Sequence, residues 1–311
     1  MNRAMKKAAL GATAACVALS LAACGSSDNS SDGSGKAAVA GGGKVDTSAP
    51  LYSALPADIQ KKGSITLGSS IDYPPFEYYA EDGKTLQGFE TELMAKVSAQ
   101  LGVPFDWKNA SFDSLFASLD AGRYDIVFGA TNDNADREKK YDFVDYLTSS
   151  QAFVTQHGKE GTITSTDDLC GKKIAAVTGG VQLTYLDAQS KVCTSAGKAA
   201  ITPMGFDGNS GEQTAVLSGQ ADALLEGYAT AVSFAKGSKG KLALVPDVQV
   251  AKSYYGAVVP KEDTQLRDAL VKAWNAVIDS GDYAAILKKA DLSDVAITAA
   301  VVNGATTQPQ Q

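Results

Sequence analysis

Between Ser64 and Ser280 the chain alternates short β-branched or apolar runs with amphipathic stretches at helical spacing. Ser64–Ser69 (SITLGS) predicts a strand. Phe89–Leu101 predicts a helix whose apolar residues Phe89, Leu93, Val97 and Leu101 return to one face. Val103–Trp107 predicts a strand, and Ser111 is placed to cap a helix running to about Ala121 and stopped by Gly122. Tyr124–Phe128 reads as a buried strand and Asp136–Tyr141 as a short charged helix. A second alternating series follows. Lys173–Val177, Ala200–Met204, Ala221–Leu225 and Leu242–Val245 predict strands; Val181–Val192, Ser210–Ser218 and Tyr228–Lys236 predict helices. The last long helix, Thr264–Ser280, carries Leu266, Leu270, Ala273, Trp274 and Val277 on one face and is expected to return to the first series. Repeated β-α units imply an α/β fold with a mostly parallel sheet covered by helices, here in two lobes.

The start of the chain has another pattern. Arg3, Lys6 and Lys7 precede an apolar run from Ala8 that ends in Leu21-Ala22-Ala23-Cys24-Gly25. This order is that of an export signal, too short to serve comfortably as a permanent span. Its ending resembles the lipobox of bacterial lipoproteins, which implies cleavage before Cys24 and acylation of its thiol. Gly25 to about Ala49 is Ser, Gly, Asp and small residues without apolar periodicity. Such a tether of ~25 residues has a reach of roughly 25–30 Å.

Charge narrows the choice of partners. Of 28 basic side chains three belong to the leader, against 35 acidic ones, so the exported chain carries a net charge of −10. That surface argues against nucleic acid and against adhesion to anionic headgroups. Membrane attachment therefore falls to the acyl chains. With Cys16 removed and Cys24 acylated, Cys170 and Cys193 remain, and an exported domain is expected to join them in a disulfide. A two-thiolate metal site would need further ligands, and the chain has a single His, His157. No cofactor is expected.

Three segments, in order, resemble the polar-amino-acid class of solute-binding proteins that feed ABC importers. They are Asp72-Tyr73-Pro74-Pro75-Phe76-Glu77, then Gly88-Phe89-Glu90-Thr91-Glu92-Leu93, then Gly122-Arg123-Tyr124-Asp125 followed by Arg137 and Asp142-Phe143-Val144-Asp145-Tyr146. The resemblance spans roughly Gly63 to Leu292. It implies a two-lobed, type II periplasmic-binding-protein-like fold with two hinge crossings, near Gln151–Gln156 and Val250–Tyr255, and a ligand trapped by hinge closure. The expected organisation is a signal peptide over 1–23, the acylated cysteine and linker over 24–50, and the first part of lobe 1 over 51–152. Lobe 2 then covers 153–252, lobe 1 resumes over 253–295, and 296–311 forms a weakly ordered tail.

The resemblance also assigns a cleft. Arg137 matches the arginine that holds the ligand's α-carboxylate, a task suited to the fork of a guanidinium. Arg123 and Arg267, the other two arginines of the exported chain, read as solvated. Gly129, Ala130 and Asn132 match a strand end offering carbonyls and a hydroxyl, with Asn132 in place of that hydroxyl. Tyr73 and Phe112 match aromatic walls, whereas Phe76 reads as core. Ser70 stands where several relatives place an acid. Gly180, Val181 and Gln182 open a helix whose free N–H groups suit an anion.

Relatives place an Asp, for the ligand's ammonium, at the position of Gly227; here Glu226 stands one residue earlier. Neighbouring strand residues face opposite ways. Either the strand end bends so that Glu226 reaches the amine, or the ligand lacks an ordinary free α-amino group. The function expected is capture of an amino acid or derivative by a monomer, for delivery to an ABC permease and its ATPase. The alternatives are an enzyme on the same fold, similar to cyclohexadienyl dehydratase, and a ligand-sensing receptor.

Overall fold

One strand binds the two halves of the molecule together. In this computed structural model, which describes residues 43–246, 248 and 250–308, Tyr141–Gln156 is a single strand of 16 residues. The export leader and Cys24 lie outside the described residues. In chain order the elements begin with α1 (Ala57–Lys62), β1 (Ile65–Ser69), β2 (Asp72–Tyr73), β3 (Glu77–Tyr79), β4 (Leu86–Gln87) and α2 (Phe89–Leu101). Next come β5 (Phe105–Asn109), α3 (Phe112–Asp120), β6 (Ile126–Val127), α4 (Ala135–Glu138) and β7 (Tyr141–Gln156). Lobe 2 holds β8 (Lys173–Val177), α5 (Val181–Ser195), β9 (Thr202–Phe206), α6 (Asn209–Leu217), β10 (Ala223–Gly227), α7 (Tyr228–Gly237) and β11 (Leu242–Leu244). The chain returns through β12 (Val250–Pro260), α8 (Thr264–Asp279), α9 (Asp282–Lys289), β13 (Val301–Val302) and α10 (Gly304–Thr307).

The large sheet runs β5-β1-β6-β12-β7-β10-β8-β9. β1 is parallel to β5 and β6, and β8 is parallel to β9 and β10. The crossings break the expected parallel order. β12 runs antiparallel to β7 from Tyr141–Pro260 to Gln151–Val250, and β10 runs antiparallel to β7 from Gln151 to Thr155. β1 is buried along its whole length because helices cover both faces, so its sequence does not alternate.

In lobe 1, α2 presents Phe89, Leu93, Met94, Val97 and Leu101 to the core, and α8 packs on it through Leu266, Leu270, Ala273, Trp274 and Val277. Trp274 stacks on Tyr146 with ring centroids 4.7 Å apart, and Phe128 lies 5.0 Å from Tyr146. In lobe 2 the alternation of β10 sends Ala223 and Leu225 to one core and Leu224 to another, beside α6 and α7. Cys170 and Cys193 are disulfide-bonded at the edge of the first of these cores.

Four sequence expectations are corrected. The predicted helix Asp136–Tyr141 ends at Glu138, and Tyr141 already belongs to β7. Ser111 precedes α3 but makes no side-chain cap bond. Arg267 is not simply solvated: it donates to the buried Asp142 at 2.7 Å and pairs with Asp268. Finally, the linker's last residues fold back on lobe 1, where the Asp46 amide donates to Gly102 O and Leu51 to Gln100 O.

The segment read as a weakly ordered tail straps the back of the hinge. β13 pairs with Asp145 and Val144 of β7. The first amides of α10 then find buried carboxyls: Gly304 donates to Asp145 at 2.7 Å, Ala305 to Asp133 at 2.9 Å and Thr306 to Glu138 at 3.1 Å. Asn303 accepts from the Phe143 amide and donates to Asp142. Asp133 and Asp145 lie against each other, and each keeps one buried oxygen without a donor. Burial, reinforced by the charge of Asp145, pushes Asp133 up to about 9; burial pushes Asp145 up to about 7.

A carboxyl that holds its proton more tightly in the folded chain stabilises it fully below the unfolded carboxylate range. That contribution is lost as pH rises through the folded value. The protein is therefore expected to lose stability between about pH 5 and 9, and Asp133→Asn should flatten this loss by up to about 1.4 kcal/mol per pH unit. Urea unfolding at several pH values checks this; parallel profiles for the two proteins would refute it.

Candidate ligand-binding site

Where β1, β6, β8 and β10 end, the two lobes face each other across a cavity enclosing about 440 Å³, its mouth included. All eleven residues expected to touch ligand line it: Ser70, Tyr73, Phe112, Gly129, Ala130, Asn132 and Arg137 from lobe 1, and Gly180, Val181, Gln182 and Glu226 from lobe 2. Glu77, Val177 and Asn209, outside those eleven, line it as well.

Arg137 sits in α4, whose first turn is fixed by Asn134. The Asn134 side chain accepts from the amides of Asp136 and Arg137 at 3.1 and 2.9 Å. The guanidinium donates to Asn132 O at 2.7 Å and to Gly179 O, across the cleft, at 3.1 Å. Its carbon lies 5.5 Å from the ring centroid of Phe112 and 4.7 Å from that of Phe116. Phe116 follows Phe112 by one helical turn, a spacing that would have revealed the pair as a cation platform. Burial lowers Arg137 to about 10, so it remains charged at neutral pH. Among the described residues it forms no ion pair with a carboxylate. Opposite it, α5 begins at Val181 without a side-chain cap, so its first amides also face the cavity unpaired.

Beside Arg137 the chain is held in an uncommon conformation. Ala130 has φ of +39°, which L residues rarely adopt, and its amide donates to Glu90 at 3.3 Å. Gly129, at φ +110°, could not carry a side chain, because a Cβ there would stand 2.2 Å from Glu77 Oε1. Glu77 accepts from Ser69 and lies against Glu90, which accepts from Tyr146. Burial raises both carboxyls, and the charge of Glu90 raises Glu77 further. Asn132 takes part in the hinge. Its side-chain oxygen accepts from Ser149 and Gln151, while Gln151 accepts from Gln182 at 2.8 Å.

Glu226 decides the other end. Leu224 and Glu226 share one face of β10, so the Glu226 carboxyl turns toward α6 rather than toward solvent and is 1% exposed. There it accepts from Tyr73 Oη and from the Gly227 amide, and it contacts Glu212 of α6. Gly227 faces the opposite way. A Cβ at Gly227 would lie 2.2 Å from Tyr255 Oη and 3.1 Å from Tyr73 Oη, so this conformation has no room for an aspartate there. The Tyr255 hydroxyl occupies that space, buried beside Ser149 and Tyr73.

Contacts across the lobes close the cleft, among them Tyr73 to Glu226, Arg137 to Gly179 O, and Ser210 to Asp72 at 3.0 Å.

Known proteins share this architecture. The chain is 27% identical to the arginine-binding protein ArgT of Corynebacterium glutamicum, over 81% of this chain and 82% of that one. It is 34% identical to the L-cystine-binding protein TcyA of Bacillus subtilis, over 60% of this chain and 65% of that one. Among solved structures, an ancestral arginine-binding protein bound to arginine superposes with a TM-score of 0.66 at 28% identity, covering 73% of this chain and 97% of that one. The amino acid ABC transporter substrate-binding protein AbpA of Streptococcus pneumoniae shares the fold with a TM-score of 0.69 at 24% identity, covering 78% of this chain and 100% of that one. Residues 65–290 match the model of one family throughout, and the chain is a member of it: the bacterial extracellular solute-binding proteins, family 3.

Proposed function

We propose that this solute-binding protein captures an amino acid or amino-acid derivative and delivers it to an ABC importer. The observation that carries this reading is the unpaired guanidinium of Arg137 on one side of a closed cleft, facing the buried Glu226 carboxyl across it. A charge withdrawn from water without a counterion favours any ligand that supplies one. A carboxylate accepts two parallel bonds from Arg137, with the unpaired amides of α5 opposite, and an ammonium sits at Glu226. Phe112 and Tyr73 flank the side chain between them. Because these groups come from both lobes, such a ligand binds the closed form better than the open one and stabilises it. That the named relatives are arginine- and cystine-binding proteins supports an amino-acid ligand and favours capture over catalysis.

In the same reading Cys24 carries the lipid anchor, and the Gly/Ser segment after it tethers a monomeric trap on the extracytoplasmic face, within reach of its permease. Among the described residues no helix is long and apolar enough to cross a membrane.

Thermal-shift measurements with the twenty L-amino acids and L-cystine test the ligand class. At least one should raise Tm, since a ligand that binds only the folded state stabilises it; a panel without any shift would count against the reading. For a compound that binds, Arg137→Ala should weaken affinity by about 30-fold or more while leaving the unliganded Tm within a few degrees. Unchanged affinity would remove Arg137 from the site. The crowding at Gly227 gives a separate check. Gly227→Ala should destabilise by roughly 1–3 kcal/mol, and adding Tyr255→Phe, which deletes the clashing oxygen, should recover most of it. An additive double mutant would show that the close approach is not the cause. For the anchor, Cys24→Ser should move the protein from the membrane fraction to the soluble fraction of cells.

A further inference from the structure

Arg137 is carried by a single turn of helix, α4, and such a turn does not hold its shape unaided. Starting a helix fixes several backbone dihedrals for one intrahelical bond. Support therefore has to come from outside the turn, and the C-terminal strap grips the segment from Asp133 to Glu138 at both ends. At one end the Ala305 amide donates to Asp133 at 2.9 Å. At the other the Thr306 amide donates to Glu138 Oε1 at 3.1 Å, and the Thr306 hydroxyl donates to Glu138 Oε2. Both carboxyls are buried, so these bonds are made away from competing water. Lys261, just past β12, adds a bond to Glu138 O at 2.5 Å.

The strap is itself pinned to β7. Asn303 stands at φ +56°, a left-handed conformation that asparagine tolerates. Its amide donates to Phe143 O at 3.1 Å, and its side chain accepts from the Phe143 amide and donates to Asp142. Gly304 follows where no side chain fits: a Cβ there would lie 2.6 Å from Asp145 Oδ2 and 2.7 Å from the Tyr254 ring. The turn that carries Arg137 is thus tied, through the strap, to the strand that runs through both lobes. The strap lies beyond residues 65–290, over which the chain matches its family. None of its residues lines the ligand cavity, so any effect it has on binding passes through the residues it holds.

We propose that the strap Val301–Thr307 is a positioning device for the binding site: by holding Asp133 and Glu138 it keeps α4 folded and Arg137 aimed at the cleft before ligand arrives. Thr306 is its main positioning residue, since both of its donors serve Glu138, the neighbour of Arg137. This deepens the amino-acid reading of the cleft and rests on it for the ligand, though not for the folding of α4. Order established in advance is not charged to binding. When the turn is in place for only a fraction of the time, the apparent Kd rises by the inverse of that fraction. One equilibrium then governs two observables, ligand affinity and the protection of the amides of residues 136–140, all of which donate within this turn.

Two variants separate positioning from folding. A chain ending at Ala300 lacks the strap but keeps the bond from the Ala300 amide to Asn275, and Thr306→Val deletes one hydroxyl at constant shape. Calorimetry with L-arginine, well below the Tm of each protein, should show Kd raised about tenfold or more by the truncation. Thr306→Val should raise it at least about threefold, and Thr306→Ser, which restores the donor, should stay near the unaltered protein. In an Arg137→Ala background the truncation should change Kd by about twofold or less, because the side chain it positions is gone. A lowered Tm with unchanged Kd would overturn the proposal, as would an undiminished loss in the Arg137→Ala background. Should the truncated chain fail to fold, Thr306→Val carries the same comparisons. Should L-arginine bind none of these proteins, hydrogen exchange of the ligand-free chains decides. Exchange over residues 136–140 that quickens about tenfold without the strap, while β8 and α5 stay unchanged, keeps the proposal and places the failure in the amino-acid reading. Unchanged exchange over those residues overturns the strap's role.

Discussion

A half-buried guanidinium with no ion-pair partner among the described residues organises the cleft of this molecule. Arg137 rests on two phenylalanine rings and two carbonyl oxygens, none of which neutralises it. The opposite wall holds Glu226, with Glu212 behind it, two carboxyls that burial raises above the ordinary carboxylate range. Each half is tolerable only because hydrogen bonds and aromatic faces replace part of the lost hydration. A zwitterion would relieve both at once, which gives the closed cleft its preference for an occupant. The closure contacts seen here, Tyr73 to Glu226 and Arg137 to Gly179 O, use the same groups that a ligand would use.

The sheet makes such placement accurate. Strands β1, β6, β8 and β10 all end at the cleft, so most site residues lie at a strand end or in the loop and first helical turn that follow one. β7 crosses between the lobes without interruption, and Ser149 and Gln151 on it hold Asn132 and Gln182. The hinge and the binding wall are thus wired through the same amides. Buried carboxyl pairs recur at three points around this frame, Glu77 with Glu90, Asp133 with Asp145, and Glu212 with Glu226. All three trade ordinary ionisation for fixed geometry.

Much of this was legible in the chain itself. The helix Phe89–Leu101 and the strand Lys173–Val177 were readable to the residue, because uninterrupted periodicity or a β-branched run lies between glycine or charged ends. The cavity residues were readable through motif order, although Arg137 alone looks like one charge in a charged run. What escaped was non-local. β7 reads as a charged patch followed by Ser and Thr, and its strand character comes from pairing with β12 and β10. The strap at Val301–Thr307 has no periodicity, since its partners are carboxyls some 160 residues away. Glu212 was invisible because an acidic residue on an amphipathic helix ordinarily faces water, and only the turn of Glu226 toward α6 buries it.

The aromatic stack of lobe 1 has an optical consequence. The chain's two tryptophans, Trp107 and Trp274, both pack around Phe128 in lobe 1, and neither lines the cleft. Their emission therefore reports the integrity of one lobe and stays nearly blind to the other and to the cleft between them. A tryptophan signal that vanishes on denaturation dates the loss of lobe 1 alone, which leaves the unfolding of lobe 2 to be followed through its tyrosines or its disulfide.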